Sequence, residues 1–323
     1  MTTSPRVSIG VPVYNGGSLL SEMLESLVTQ TFTDFEIVIS DNASTDDTSE
    51  IARRFADGDR RVRYYRNDTN IGAAPNFNRV FELANNPVYF KWAAHDDLHK
   101  PTYLERCVEV LDREPDVVLS YTIVDVIDDT AENLLSKHPF YWYGCVESYT
   151  DDQARTGWMM GPHHLAEMAD PAGRYSEFLN KMVACFPIFG LIRADALRRT
   201  SLHRSYYGSD RTLLGELVLQ GRFRQVHERL YVNRYHKSAS RLLSEEQQKT
   251  WIDSAKGSSR SPHLQQQIDL LRAPLNAGLK TMDATRCFGV AAHHITRRAA
   301  GRALRSVLRS GAEMNRRDLP GTR

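Results

Sequence analysis

Hydrophobic positions in the first part of the chain repeat at two spacings. Residues 7–13 place valine or isoleucine at every second position, which is the period of a strand, and residues 19–28 place apolar side chains at helical spacing. The same two patterns recur downstream, with strands at 35–40, 62–66, 88–92 and 117–126 and helices near 51–55, 75–85 and 101–111. Strands that alternate strictly with helices predict an α/β fold with a doubly wound, mainly parallel sheet.

The pattern changes after residue 127. Between Asp128 and Gly173 the regular period is lost, and aromatic residues appear among glycine, proline and histidine, which predicts a long loop or subdomain. Regular patterns then return, with helices at 176–182, 211–220, 264–280 and 284–308 and strands at 186–192, 223–226 and 230–235. We predict one domain over residues 1–243, divided near residue 127, and a helical C-terminal extension over residues 244–323.

Composition and charge narrow the class of protein. The chain is 25% charged and 41% hydrophobic with a net charge of +1, as in ordinary globular proteins. From Ala284 onward, however, nine arginines stand against only Glu313 and Asp318, so this tail is the segment suited to an anionic membrane surface. The cysteines have no paired spacing, and neither a signal peptide nor a membrane-spanning run is present, so we expect a cytoplasmic protein with reduced thiols and no nucleic-acid partner.

Polar residues follow the predicted strands at the points where the strands end. In chain order these residues are Asn15, then Asp41 and Asn42, then Asn70, and finally His95, Asp96 and Asp97. Ligands of an open parallel sheet bind beside the carboxyl ends of its strands, so the convergence of four loops predicts a binding site. Taken one at a time, Asp41 and Asn42 equally suit a turn or a helix cap, the commoner role of such residues.

Asp96 and Asp97 form an acidic pair on the loop after the fourth strand. A divalent cation that neutralises a diphosphate needs only one or two protein carboxylates. The first strand is followed neither by the glycine-rich turn of a nicotinamide-binding domain nor by the glycine-lysine loop of a P-loop protein. The remaining prediction is that phosphate binds through a divalent metal.

Four blocks of sequence carry a family resemblance. They are VSIGVPVYNGG, EIVISDNASTDDT, NIGAAPNFN and WAAHDDLHKP, in this order. Together they resemble the signatures of family 2 inverting glycosyltransferases with the GT-A fold, closely over residues 6–126 and more loosely to about residue 240. The resemblance implies that residues 1–127 bind a nucleotide sugar and that residues 128–243 form the acceptor-binding and catalytic part.

The resemblance also implies a role for each residue of the predicted site. Pro12, Tyr14 and Asn15 would line the nucleotide pocket, Asp41 would hydrogen-bond the base with Asn42 beside it, and Asn70 would lie by the same ligand. Asp96 would contact ribose or sugar, and Asp97 would bind the metal, which in the family is usually Mg²⁺ or Mn²⁺. The chain departs from the family at His95, where an acidic residue commonly begins the D-x-D triplet.

A later block, YYGSDRTLLGEL, resembles the segment in which the family places its catalytic base. Asp210 is therefore the candidate base, although Ser209 stands where the family often has glutamate. The alternative for Asp210 is a helix N-cap without catalytic function. Arg234 and His236, in RYHKSAS, resemble the closing segment of the family and are candidates for contact with the pyrophosphate.

Two further features concern the acceptor and the membrane. Trp142 and Trp158, in the irregular segment, suit either stacking on an acceptor sugar or core packing. In the tail, apolar residues such as Ile295 and Leu304 alternate with arginines, which gives a basic helix. That helix suits peripheral contact with a membrane, and equally suits packing on the domain or at a dimer interface.

These observations predict an inverting glycosyltransferase that transfers sugar from a nucleotide diphosphate sugar to a saccharide or lipid-linked acceptor hydroxyl. Cell-surface polysaccharide or glycolipid synthesis is the expected process. One alternative is a catalytically silent member of the fold that keeps the nucleotide pocket. Another is a sugar nucleotidyltransferase, which would need a basic, glycine-rich loop after the first strand, where GVPVYNGGSLL has no lysine or arginine.

Overall fold

A computed structural model describes residues 4–127, 165–182, 184–234, 240, 243–254 and 261–317 of the chain, and the backbone alone for residues 146–150, 156–160 and 301–317. The strands are β1 (Val7–Val13), β2 (Phe35–Asp41), β3 (Val62–Arg66), β4 (Tyr89–Trp92), β5 (Leu98–His99), β6 (Val117–Ile127), β7 (Val146–Thr150), β8 (Thr156–Met160), β9 (Leu191–Arg193) and β10 (Arg222–Arg234). The helices are α1 (Gly17–Val28), α2 (Thr48–Gly58), α3 (Ala73–Glu82), α4 (Tyr103–Arg113), α5 (Pro171–Lys181), α6 (Ala194–Arg198), α7 (Ser209–Gln220), α8 (Glu245–Ile252), α9 (Pro262–Asn276) and α10 (Thr281–Arg317).

Eight of these strands form one sheet in the order β3, β2, β1, β4, β9, β6, β10, β5, and β7 pairs with β8 separately. The first four neighbours run parallel, as does β6 beside β10. The short strands β9 and β5 are antiparallel to their neighbours. The sheet is therefore mixed but mainly parallel, and α/β as the alternation predicted.

Three predicted strands differ from those observed. Residues 186–192 do not form one strand, because Phe186–Phe189 is a 3₁₀ turn and only β9 follows it. Pro187 in that turn has no N–H to donate to a sheet. The predicted strands 223–226 and 230–235 are a single long strand, β10, interrupted by register shifts around Arg229.

The sheet separates two apolar cores. On one side, β1 and β2, in which every residue is buried, pack against α1, α2 and α4. On the other side, α3, α5 and α7 pack together with Leu270 of α9 and with Cys287 and Ala291 of α10. The C-terminal helices thus share a core with the second half of the sheet, and the boundary proposed at residue 243 stays a prediction. Within the described residues, we find no helix with the length and hydropathy needed to cross a bilayer.

Candidate functional site

The turn after β1 is tied to the loop after β2. The Asn15 backbone N–H donates to Ser44 Oγ at 2.9 Å, and the Asn15 side-chain oxygen accepts from the Thr45 N–H at 2.8 Å. Asn15 has a φ of 52°, a left-handed conformation that asparagine tolerates better than most residues. Pro12 is buried, whereas Tyr14 is 43% exposed. Tyr14 and Asn15 are therefore the exposed residues of this turn, and Tyr14 has an aromatic ring that is open to a ligand.

Asp41, predicted to bind the base, is completely buried. Its oxygens accept hydrogen bonds from the Ser44 N–H and the Tyr64 hydroxyl, both at 2.8 Å, and from Arg66 Nη1 at 2.5 Å. Burial works against ionisation of the Asp41 carboxyl, but these hydrogen bonds outweigh it and keep its pKa below the ordinary value. The carboxylate holds the pocket wall together, and the half-exposed Arg66 guanidinium is the charged group presented beside it.

Tyr64 and Arg66 were not among the site residues predicted from the sequence. Asp41 and Arg66 face each other in register at the ends of β2 and β3. An acid and a base in register on neighbouring strands are a detectable signal, but only once the pairing of those strands is known.

Side-chain amides shape the loop after β3. Buried Asn42 donates to Asn70 Oδ1 at 2.8 Å and to the Gly72 carbonyl at 3.1 Å, and it accepts from the Ile71 N–H at 2.9 Å. Asn67 donates to both Asn42 and Asn76. The loops after β2 and β3 therefore form one rigid unit, in which Asn42 is a structural bridge and Asn70 lies at the surface.

Asp97, predicted to bind the metal, turns into the protein and is 1% exposed. One oxygen accepts from the Tyr231 hydroxyl, and the other accepts from Asn233 Nδ2 and the Arg234 N–H, both at 2.9 Å. Burial, and then the nearby charge of Asp96, raise the pKa of Asp97 to about 7. The Asp97 carboxylate thus joins the loop after β4 to the end of β10.

Arg234, a candidate for pyrophosphate contact, is buried at the same junction. Its Nε donates to the Asp96 carbonyl at 3.2 Å, and its Nη2 pairs with Glu22 of α1 at 2.6 Å. The guanidinium therefore already has a carboxylate partner, and its role toward a pyrophosphate stays a prediction.

Asp96 and His95 belong to the same loop as Asp97. Both are partly exposed, and a Cβ atom placed on Gly16 would lie 3.3 Å from the His95 ring, so the loop reaches the start of α1. The described part of the chain has no cluster of three or more acidic, histidine or cysteine side chains that could hold a metal by themselves. A single carboxylate suffices for a metal shared with a diphosphate. Asp96 is partly exposed, whereas both oxygens of Asp97 accept hydrogen bonds inside the protein, and the metal site stays a prediction.

A buried lysine lies beneath the loop. Lys91 Nζ is within 2.9 Å of the Trp92 carbonyl, His99 Nε2 and the Phe189 carbonyl. Burial lowers the pKa of Lys91 to about 7 and lowers that of His99 well below its usual value. These contacts link β4, β5 and the 3₁₀ turn, and no sequence motif predicted them.

Asp210 is the second residue of α7, whose N-cap is Gly208, so the helix N-cap alternative is wrong. Its Oδ1 accepts from the next N–H, that of Arg211, at 2.8 Å, and the carboxyl also has a hydrogen bond with the Cys185 side chain. Burial raises the pKa of Asp210, which makes the carboxylate a stronger base.

The segment that carries Asp210 is fixed to the nucleotide half of the sheet. Asn78 of α3 and His203 exchange two hydrogen bonds of 2.9 Å, and the His203 ring packs 4.8 Å from Trp92. Trp92 precedes the acidic loop. The candidate base and the candidate diphosphate loop are therefore held by one rigid framework.

Some predictions fall on residues that the structure does not describe. His236 and Trp142 are outside the described residues, and only the backbone is described at Trp158. The basic helix exists as α10, where Arg286 pairs with Asp170 at 2.8 Å and Ala291 is buried. The first part of α10 therefore packs on the domain, and contact of its arginines with a membrane stays a prediction.

Comparison with known proteins adds to this geometry. The sequence model of "Glycosyl transferase family 2" matches residues 8–197. An uncharacterized glycosyltransferase of Rickettsia typhi is 32% identical over 140 residues, which are 43% of this chain and 42% of that protein. The glycosyltransferase GlyG of Streptococcus pneumoniae is 33% identical over 36% of this chain and 38% of its own length. The chain thus matches about two fifths of the length of such curated relatives.

Solved structures agree on the fold. A fragment of S. aureus TarS, in complex with UDP-GlcNAc, matches this chain with a TM-score of 0.59 at 15% identity. The match covers 90% of this chain and 72% of the TarS fragment. The mannosyltransferase PcManGT of Pyrobaculum calidifontis, in complex with GDP-Man and Mn²⁺, has a TM-score of 0.51 at 18% identity, over 97% of this chain and 81% of its own. The predicted GT-A fold is confirmed. Because its family model covers more than half of the sequence, the chain belongs to glycosyl transferase family 2.

Proposed function

We propose that this protein is an inverting glycosyltransferase that uses a nucleotide diphosphate sugar and a divalent metal. One observation carries the proposal. The loops after β1, β2 and β3 are hydrogen-bonded to one another at one edge of the sheet, and the loop after β4, which carries Asp96, lies against Gly16 at the same edge. The family, and the nucleotide sugars in the titles of the TarS and PcManGT structures, support this use of the edge.

Each side chain has a proposed task. Tyr14 and Arg66 line the nucleotide end, where Tyr14 offers a ring face and Arg66 a positive charge. Asp96 would hold the metal, Mg²⁺ or Mn²⁺, which when bound neutralises the charge that the diphosphate gains as it departs. Asp97 fixes the loop through Tyr231, Asn233 and the Arg234 N–H and so positions Asp96.

Asp210 is the proposed base. Its carboxylate accepts the proton of the acceptor hydroxyl while the hydroxyl oxygen attacks the anomeric carbon on the face opposite the diphosphate. The bond from that carbon to the phosphate oxygen breaks, and the diphosphate takes the electron pair. Configuration at the anomeric carbon is inverted because there is one displacement. The proposed acceptors are saccharides or lipid-linked saccharides of cell-surface polymers.

The test has two parts. A thermal-shift panel of UDP, GDP, TDP and their sugars, with and without MnCl₂, should give a metal-dependent rise in melting temperature for one base. Release of nucleoside diphosphate is then measured for the wild type, for Asp210→Asn and for Asp57→Asn, a control that changes an exposed carboxylate on α2.

We expect Asp210→Asn to keep the thermal shift and to lose release of the diphosphate, and we expect Asp57→Asn to match the wild type. A wild-type protein that shows the shift but releases no diphosphate with any donor would support a silent nucleotide-binding protein instead. Wild-type turnover by Asp210→Asn would remove Asp210 from the mechanism.

A further inference from the structure

An aromatic pair stands beside the start of α7. Trp251, at the end of α8, is 38% exposed, and its ring centroid lies 6.2 Å from that of Tyr207, with the two planes at 62°. A single exposed apolar side chain needs no explanation, but a rigid aromatic pair next to a candidate catalytic group does. Trp251 lies outside the blocks that carried the family resemblance, whereas Tyr207 is the second residue of one of them, YYGSDRTLLGEL.

One end of this pair is fixed to the donor loop. Directly after α8, Ser254 Oγ donates to the Asn70 carbonyl at 2.6 Å. A Cβ atom on Gly72 would lie 2.6 Å from Asp253 Cα, so the two backbones are in direct contact. The buried side chain of Ile252 secures the end of the helix. Trp251 is therefore held two to three residues from the wall of the nucleotide-sugar site.

The other end is fixed to the helix of the candidate base. The Tyr206 hydroxyl is buried between Thr212 Oγ1 at 2.8 Å and Asp269 Oδ2 at 3.0 Å. Tyr207 follows it and is partly exposed, then Gly208 turns the chain with a φ of +86°, and Asp210 lies in the first turn of α7. The pair thus spans the space between the donor loop and the Asp210 segment.

We propose that the Tyr207–Trp251 pair is the acceptor subsite and that it binds a pyranoside ring. The inference rests on the proposed function and names its acceptor class. The faces of a pyranose that carry C–H bonds pack on aromatic rings, while its hydroxyls stay free for polar groups. A sugar seated on this pair lies between the donor and Asp210, where its hydroxyl can lose a proton to that carboxylate and bond to the anomeric carbon as the diphosphate leaves.

Binding to the subsite can be measured before the natural acceptor is identified. Saturation-transfer NMR with methyl glucoside, methyl galactoside, methyl mannoside and methyl N-acetylglucosaminide is recorded on the full chain, in the presence of the nucleoside diphosphate found by thermal shift. The variants are Trp251→Ala, Tyr207→Ala and the conservative Trp251→Phe. Phe288→Ala is the matched control, because Phe288 is also 38% exposed but lies on α10.

We expect at least one glycoside to bind the wild type and the control, with its Kd raised about tenfold or more by Trp251→Ala and Tyr207→Ala and less by Trp251→Phe, which corresponds to about 1.4 kcal/mol per tenfold change. The nucleotide affinity of all variants should stay within about twofold of wild type. Failure of every glycoside to bind, or equal binding by wild type and both alanine variants, overturns the subsite while nucleotide binding remains. Absence of nucleotide binding in the wild type overturns the proposed function itself.

Discussion

Replacement of Asp97 by asparagine tests whether this residue positions the acidic loop or binds the metal. In the folded protein one oxygen of Asp97 accepts two hydrogen bonds, from Asn233 Nδ2 and the Arg234 N–H, and the other accepts from the Tyr231 hydroxyl. An asparagine can keep its carbonyl oxygen toward the first two donors and turn its NH₂ toward Tyr231. The hydroxyl of Tyr231 can accept as well as donate, so every group keeps a partner.

The cost of Asp97→Asn is therefore the loss of charge from three hydrogen bonds. Burial of that charge is itself unfavourable, as the raised pKa of Asp97 shows, so its removal offsets the weakening of the hydrogen bonds, and we expect a free energy of unfolding within about 1 to 2 kcal/mol of the wild type. Asp97→Ala, in contrast, leaves the Asn233 and Arg234 donors unpaired, at roughly 1 to 3 kcal/mol for each buried group.

The assay is metal-dependent binding of the nucleotide identified by thermal shift, measured by calorimetry for Asp97→Asn and Asp96→Asn side by side. We expect Asp97→Asn to bind nucleotide with Mn²⁺ within about tenfold of the wild type, which is 1.4 kcal/mol. Asp96→Asn should lose the effect of Mn²⁺ while its melting temperature stays near that of the wild type. The opposite pattern, with Mn²⁺ dependence lost only in Asp97→Asn, would refute the assignment and restore Asp97 as the metal ligand.

Three further predictions concern stability. The pKa of Asp41 in the folded protein lies below the unfolded value of 3.8, so the ionised carboxylate stabilises the fold above that pH. This stabilisation is lost as the pH falls through the folded pKa. In urea unfolding between pH 5 and 2, Asp41→Asn should therefore lose less stability with acid than the wild type. The pKa of Lys91 is lowered from 10.5 to about 7 in the folded protein, so the unfolded chain binds more protons than the folded chain between these pH values. The stability of the wild type should therefore rise with pH across this window. A Lys91→Met variant whose urea midpoints rise equally steeply with pH would contradict this. Gly72→Ala places a methyl group 2.6 Å from Asp253 Cα at a residue with a φ of +89°. We expect this variant to be destabilised by about 1 to 3 kcal/mol and to show faster hydrogen exchange in the residues after α8. The control is Gly58→Ala, where the added methyl has open space.

The class of fold and the family were both predictable from the amino-acid sequence. Alternating periods of two and 3.6 residues predicted strands followed by helices, because burial on a sheet and on a helix impose those spacings. Four blocks at the ends of the strands identified the family, which is confirmed over residues 8–197. The local residue pattern predicted strands less well where the strand that pairs with them lies far along the chain. The antiparallel insertion of β9 between β4 and β6 could not be read from residues 186–192.

The tertiary structure decided which way each polar side chain points. Asp96 and Asp97 are identical in sequence terms, yet β10 supplies three donors that turn Asp97 inward and leave Asp96 partly exposed. Trp251 lies 41 residues after Asp210 and gave no local signal, but packing of Gly72 against Asp253 brings it beside Tyr207. The position of a side chain along the chain sets which loop carries it, whereas its orientation depends on donors, acceptors and packing surfaces that distant segments supply only after folding.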